Sequence, residues 1–195
     1  MNKYKIIAIC GKSASGKDTI LQEIVRQFPD LHEIISCTTR PPRDYEINGV
    51  NYFFLNEEDF FDKIKNGEML ETSHFRDWYY GTSLAGCSKD KINIGVFNPD
   101  GIKSLMTNPN VELFVALITA TDKVRMLRSL HREHNPDVDE IVRRYLTDKE
   151  DFELLSQFYE PDYIFDSTHS FGLDKEWAAR QIVQGAYRLW AEEAN

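Results

Sequence analysis

The 195-residue sequence is short of cysteine, of long hydrophobic runs and of basic residues relative to acidic ones. Each shortage excludes a class of protein. Its three cysteines, Cys10, Cys37 and Cys87, are odd in number and lack paired spacing. That argues against a disulfide framework or a cysteine-held zinc site and suits a reducing compartment. The 23 Lys and Arg residues face 32 Asp and Glu, for a net charge of -9. General nucleic-acid binding normally shows as a basic patch or stripe, so this balance speaks against it. It leaves small anionic ligands open. Two unit charges about 4 Å apart interact by roughly 4 kcal/mol at an effective dielectric of 20, whereas net-charge repulsion is screened beyond about 8 Å at physiological salt. A few well-placed arginines outweigh the global charge. The longest candidate leader, Ile6 to Cys10 after Met1–Lys5, holds only five apolar residues. That is too short for a signal core or a membrane span, and no other segment comes close. A cytoplasmic protein without nucleic-acid or membrane partners is expected.

What is present is an ordinary globular composition, 42% hydrophobic and 28% charged, on a chain the length of one domain. Lys5–Cys10 is a β-branched apolar run ended by Gly11, which predicts a buried parallel strand. Ile20, Leu21, Ile24, Val25 and Phe28 follow at helical spacing until Pro29. Further strands are predicted at Glu33–Thr38, Ile92–Asn98, Val111–Thr119 and Asp162–Asp166. Helices are predicted at Asp100–Met106, Asp122–His131, Val138–Phe158 and Leu173–Glu193, the last with Leu173, Trp177, Ile182, Ala186, Leu189 and Trp190 on its packing side. Strands alternating with helices imply an α/β fold with a central parallel sheet. The stretch from about Arg40 to Lys89 breaks the rhythm with Pro41-Pro42, Asn48-Gly49, a helical Glu57–Lys65 and dense aromatics. It reads as an inserted, partly β subdomain.

Gly11-Lys12-Ser13-Ala14-Ser15-Gly16-Lys17 fits the glycine-rich phosphate loop and lies between the first strand and the first helix, where such a loop belongs. Glycines let the backbone N–H groups converge on phosphate oxygens, the helix N-terminus adds partial positive charge, and Lys17 reaches toward the β- and γ-phosphates. A chance glycine turn would lack the flanking strand and helix. Asp18 stands where a Ser or Thr hydroxyl usually binds Mg²⁺. A carboxylate beside a triphosphate is unfavourable unless a cation lies between, so Asp18 is expected to bind Mg²⁺ directly or through water. Its plainer alternative is the favourable position of an acid in a first helical turn.

A second constellation runs from Ser36 through Thr38-Thr39-Arg40-Pro41-Pro42-Arg43 and Glu46 to Gly49, Tyr52 and Phe54. The prolines stiffen the backbone, so Arg40 and Arg43 can splay around one phosphate. Glu46 can hold an arginine, and Tyr52 offers a phenolic donor. Asn66-Gly67-Glu68 with Glu71, and Tyr79-Tyr80-Gly81-Thr82-Ser83, add a carboxylate and hydroxyls. A solvated surface loop is the usual reading of such a polar stretch, but aromatic residues are rarely this dense in one.

On these residues the sequence closely resembles the guanylate kinases. The T-T-R-x-x-R-x-x-E-x-x-G-x-x-Y-x-F pattern is complete at Thr38–Phe54, and with the phosphate loop the resemblance covers about Lys5 to Ser83, with looser agreement beyond. It implies a P-loop kinase fold, a central parallel sheet flanked by helices, with an inserted nucleotide-monophosphate-binding subdomain and a helical lid. The whole of 1–195 would be one domain: core 1–35 and 90–195, lid about 128–144, acceptor subdomain 36–89. It implies ATP, with Mg²⁺, bound at Gly11, Lys12, Ser13, Ala14, Ser15, Gly16, Lys17, Asp18 and Thr19. It also implies GMP or dGMP as acceptor. Arg40, Arg43, Tyr52 and Tyr80 would hold its phosphate, and Ser36 and Thr82 would meet the guanine oxygen. Glu71 would accept from guanine N–H groups, Glu46 would orient the arginines, and Gly81 would lie beside them. Lys17, Arg40 and the lid residues Arg128, Arg132 and Arg144 would neutralise the transferring group, with Arg143 a substitute for the last.

Three departures bear on this. The acids of the family's D-x-D strand end are Val96 and Asn98 here, which removes one guanine contact and alters the metal surroundings. Asp100 could compensate, but capping the next helix is its expected role. Arg128 and Arg132 share a helix face and would fold over the phosphates, or else pair with Glu133 or Glu140. His131 and His134 have helical spacing but no third ligand nearby in sequence, which disfavours a metal there. Rival readings are the same fold acting on another nucleoside monophosphate or on ribose 1,5-bisphosphate, and a non-catalytic binding module. The sequence leaves oligomeric state open.

Overall fold

The alternation of apolar runs and polar turns produces two sheets in the computed structural model, which describes residues 3–43, 46–75, 77–132, 134–169 and 173–192. Asp44 and Tyr45 of the arginine segment, the pairing partner Glu133, the helix end Glu193 and the side chain of Leu173 lie outside the described residues. The central parallel sheet has five strands in the order β2-β7-β1-β8-β9. These are β1 (Tyr4–Cys10), β2 (His32–Glu33), β7 (Asn93–Val96), β8 (Val111–Thr119) and β9 (Tyr163–Asp166). The inner part of β1 is fully apolar and buried, as a strand covered on both faces requires. Among the described residues no helix is long and apolar enough to cross a membrane.

The chain divides into two compact units, Met1–Ile7 with Pro29–Leu113 and Ala8–Phe28 with Phe114–Asn195. In the first, a four-stranded sheet runs in the order β4-β3-β6-β5: β3 (Cys37–Thr38), β4 (Phe53–Phe54), β5 (Met69–Phe75) and β6 (Trp78–Ser83). The single strand predicted over Glu33–Thr38 is therefore two strands in two sheets. Glu33 pairs with Ile94 of β7, and Ile34 N–H still reaches the Ile94 carbonyl. By Cys37 the chain has turned to pair with Phe53 and Gly81. An apolar run reads the same whichever sheet takes its hydrogen bonds, so the periodicity could not show the switch.

Helix α2 (Glu57–Lys65) opens on Asn56, whose side chain accepts from Asp59 N–H at 2.7 Å. It ends at Asn66-Gly67, where Gly67 takes φ +68 and Glu68 N–H reaches back to the Lys63 carbonyl. Helix α3 (Pro99–Thr107) packs on β5 and begins one residue before the predicted start. Its cap is Asn98, which accepts from Gly101 N–H at 2.7 Å, and not Asp100, which lies in the first turn. Asn98 thereby leaves the strand, which stops at Val96 instead of the predicted Asn98.

The second unit holds α1 (Lys17–Gln27), α4 (Asp122–His131), α5 (Val138–Phe158) and α6 (Leu173–Glu192). α1 packs on α6 and α4 on α5. The buried face of α6 is Ala178, Ala179, Ile182, Val183, Ala186 and Trp190, while the predicted packing residue Trp177 is 57% exposed. Trp177 lies one position before the buried row Ala178, Ile182, Ala186 and Trp190, and so points outward.

Candidate functional site

In the second unit the Gly11–Lys17 turn is shaped by close approach and by left-handed residues. A Cβ on Gly11 would meet the Ile118 carbonyl and come within 2.6 Å of Ser15 Oγ, so only glycine fits. Ala14 has φ +59 and Gly16 φ +96. Ser15 N–H donates to the Lys12 carbonyl at 3.1 Å, closing the turn on itself. The outward carbonyls are held from α4. Arg125 Nε donates to Ser13 O at 3.0 Å, and Arg128 Nη1 donates to Ala14 O and Ser15 O at 3.3 Å each. Ser167, just past β9, donates from Oγ to Ser15 O at 2.5 Å and accepts from Arg128 Nη1 at 3.0 Å. Lys17 opens α1 with its side chain 21% exposed and its Nζ 3.6 Å from Asp18 Oδ2. Asp18 and Thr19 follow in the exposed first turn. Ser15 Oγ is buried without a hydrogen-bond partner among the described residues. A positive helix end, a lysine and a curled backbone are what anion binding uses.

Of the predicted lid arginines, Arg128 and Arg144 have different partners. Arg128 is engaged with the turn and with Ser167. Arg132 is exposed at the C-terminal end of α4. Arg144 donates from Nε to Glu140 Oε1 at 2.7 Å, and Arg143 also bonds Glu140. His131 and His134 join no group of three metal-ligating side chains among the described residues.

In the first unit the arginine segment folds around Glu46. Arg40, buried, donates from Nη2 to both Glu46 oxygens at 2.8 and 2.9 Å and from Nη1 to the Pro41 carbonyl. Its guanidinium lies 5.6 Å from the Tyr52 ring and 5.7 Å from the Phe54 ring. Arg43 N–H donates to Glu46 Oε2 at 2.8 Å, with its Nη1 4.0 Å from Oε1. Burial opposes ionisation of Glu46, but the Arg43 N–H and the Arg40 guanidinium outweigh it and hold the carboxyl below its usual range. Thr38 and Thr39 pin the segment to β6 through the Tyr79 backbone. The Asn48-Gly49 turn, with Gly49 at φ +77, returns the chain so that Tyr52 meets Tyr80 edge-on at 6.1 Å.

β5 and β6 set Glu71 opposite Thr82. Thr82 Oγ1 donates to Glu71 Oε1 at 2.8 Å, and Glu71 Oε2 is buried with no partner among the described residues. Burial, opposed by the Thr82 bonds, pushes the carboxyl up to about 7. At Gly81 a Cβ would lie 2.8 Å from the Glu71 carbonyl, so the residue between Tyr80 and Thr82 must be glycine. Ser36, half-buried, accepts the Phe53 N–H on its carbonyl. Val96 is half-buried at the end of β7, and Asn98 donates to Ser73 Oγ at 3.1 Å while it caps α3. Reading the sequence missed Arg125, Asp148 and Ser167. Their partners in the turn lie 112, 135 and 152 residues away, and nothing local marks them.

Comparison with known proteins identifies the family and agrees with the fold. The family model for guanylate kinase matches residues 3–165. A guanylate kinase of Nostoc sp. is 30% identical over 159 residues, 79% of this chain and 79% of that protein. One of Malacoplasma penetrans is 33% identical over 150 residues, 73% and 75% of the two chains. The crystal structure of guanylate kinase from Anaplasma phagocytophilum superposes with a TM-score of 0.62 at 19% identity, covering 100% of this chain and 88% of that one. The chain belongs to the guanylate kinase family.

Proposed function

We infer that this protein transfers the γ-phosphoryl group of ATP to the phosphate of GMP, giving ADP and GDP. The observation that carries the choice of acceptor is Glu71, a buried carboxylate with one oxygen bonded to Thr82 and the other open. Leaving such an oxygen unpaired is costly, and guanine presents two adjacent N–H donors to satisfy it where adenine does not. In this reading Ser36 meets the guanine oxygen, joined by Thr82 once guanine N–H groups replace its hydroxyl on Glu71, and Arg40, Arg43, Tyr52 and Tyr80 hold the phosphate. Glu46 locks Arg40, and Gly81 lies between Tyr80 and Thr82 in the acceptor site. ATP lies on Gly11–Thr19, with Lys17 on its β- and γ-phosphates. Arg128 adds charge beside the turn, while Arg132 and Arg144 act from a lid of about 128–144. The acceptor subdomain is 36–89 and the core 1–35 and 90–195.

An ionised monophosphate is already nucleophilic, so an acceptor oxygen attacks the γ-phosphorus in line without a strong general base. The side chains position the reactants, neutralise charge and exclude water. Mg²⁺ suits the donor set, because it arrives with phosphate ligands, keeps several waters and needs one or two carboxylates. Asp18, 73% exposed beside Lys17, would hold it, and the ion would neutralise charge on the phosphates. A cytoplasmic setting accords with three free thiols, of which those of Cys10 and Cys37 are buried.

A second reading has its own observation. Val96 supplies no acid and Asn98 is committed to Ser73 and Gly101, which favours a broader acceptor range: another nucleoside monophosphate or ribose 1,5-bisphosphate. A non-catalytic module is disfavoured by the intact Gly16 and Lys17. An assay of ADP and GDP from ATP and GMP across a Mg²⁺ titration tests the primary reading. Equal ADP and GDP are expected, with Asp18→Ser needing more Mg²⁺. ADP without GDP contradicts the transfer, and an unshifted Asp18→Ser profile removes the metal role.

A further inference from the structure

Both peptide groups of Ser13, in the middle of the glycine-rich turn, are held by one buried ion pair. Ser13 N–H donates to Asp148 Oδ2 at 2.7 Å, and Ser13 O accepts from Arg125 Nε at 3.0 Å. Arg125 Nη2 donates to the same Asp148 oxygen at 2.8 Å, and its Nη1 to Asp122 Oδ1 at 3.0 Å. Arg125 is 3% exposed and Asp148 8%. Tyr145 covers the guanidinium with its ring 5.4 Å away and donates from its hydroxyl to Asp122 Oδ2 at 2.6 Å. Helices α4 and α5 thus converge on Ser13.

We propose that Arg125 and Asp148 are positioning residues that set the phosphate loop for ATP by clamping Ser13 on both sides; this rests on the reading that the loop takes ATP. Two physical arguments lead there. A buried ion pair adds little net stability, because desolvation offsets its attraction, so what it supplies is geometry. The residue after Ser13 is Ala14 at φ +59, a conformation that a side chain disfavours. A strained residue persists only where its surroundings over-determine it. The planar guanidinium fork, fixed by Asp148 and Asp122, supplies that constraint.

The clamp can be told from simple electrostatics. Asp148 puts negative charge beside an anion-binding turn, so on charge alone Asp148→Asn would tighten ATP binding. Positioning gives the opposite sign. ATP binding by calorimetry, KM for ATP and for GMP, and Tm would be measured for the wild type, Asp148→Asn, Arg125→Lys and the double variant. Both single variants are expected to bind ATP about tenfold to a hundredfold more weakly, the range that loss of a charge-assisted hydrogen bond covers. KM for GMP stays unchanged, and the double variant is no worse than the poorer single one, since the two residues act as a unit. Asp148→Asn binding ATP as tightly as the wild type, or more tightly, overturns the clamp. Equal losses for ATP and GMP that follow a fall in Tm overturn it too, because they mark a merely structural pair. A wild type that binds no ATP overturns the loop reading itself, a failure distinct from the other two.

Discussion

On the proposed reading, Glu71 trades stability for recognition. Its carboxyl is raised to about 7 by burial, so between the unfolded value near 4.5 and 7 the folded protein holds a proton that the unfolded chain has lost. Stability therefore falls as pH rises through that window, and the full penalty is present above 7. The shift corresponds to roughly 3 kcal/mol. Glu71→Gln, which never ionises, is expected to raise Tm at pH 8 and to differ little from the wild type near pH 5. The same substitution should weaken GMP, since an amide offers one acceptor where the carboxylate offers two. In the wild type KM for GMP should climb as pH drops below 7. A Tm gain that is equal at both pH values would contradict the buried-charge account. Glu71 was legible in the sequence through its motif. Asp148 and Arg125 were not, because a charged residue within a helix reads as solvated until its distant partner is known.

Among the elements, α3 illustrates what local chemistry can and cannot announce. The sequence reading places the cap at Asp100, whereas the helix opens on Asn98, two residues earlier, with Pro99 at its first position. The choice falls on Asn98 because its amide is bifunctional, accepting from Gly101 N–H and donating to Ser73. Asn98→Ala should cost about 1 kcal/mol, as a lost N-cap does, and chemical denaturation measures it. Asn98→Asp should recover the cap while losing the donor to Ser73. No change in Asn98→Ala would contradict the capping role. The long elements β8, α4 and α5 follow the sequence reading, since their periodicity runs over many residues. The two-residue strands β2 and β3 are set by partners in different sheets and carry no period of their own.

For the whole molecule, a net charge of -9 coexists with anion-binding chemistry because each cluster carries its own balance. Glu46 pairs with Arg40 in the first unit, and two carboxylates, Asp148 and Asp122, pair with Arg125 in the second. The α/β class and the kinase family could be read from the order of strands and helices and from the Thr38–Phe54 pattern. The division at Ile7/Ala8 and Leu113/Phe114 could not, since it cuts through β1 and β8. Guanine as the acceptor base rests on Glu71, Ser36 and Thr82 without a strand acid at Val96. The most direct measurement is kcat/KM for phosphoryl transfer from ATP across GMP, dGMP, AMP, UMP, TMP and ribose 1,5-bisphosphate. The account predicts that GMP and dGMP exceed all the others, because only guanine supplies two adjacent donors to Glu71. Faster transfer to any non-guanine acceptor would contradict it.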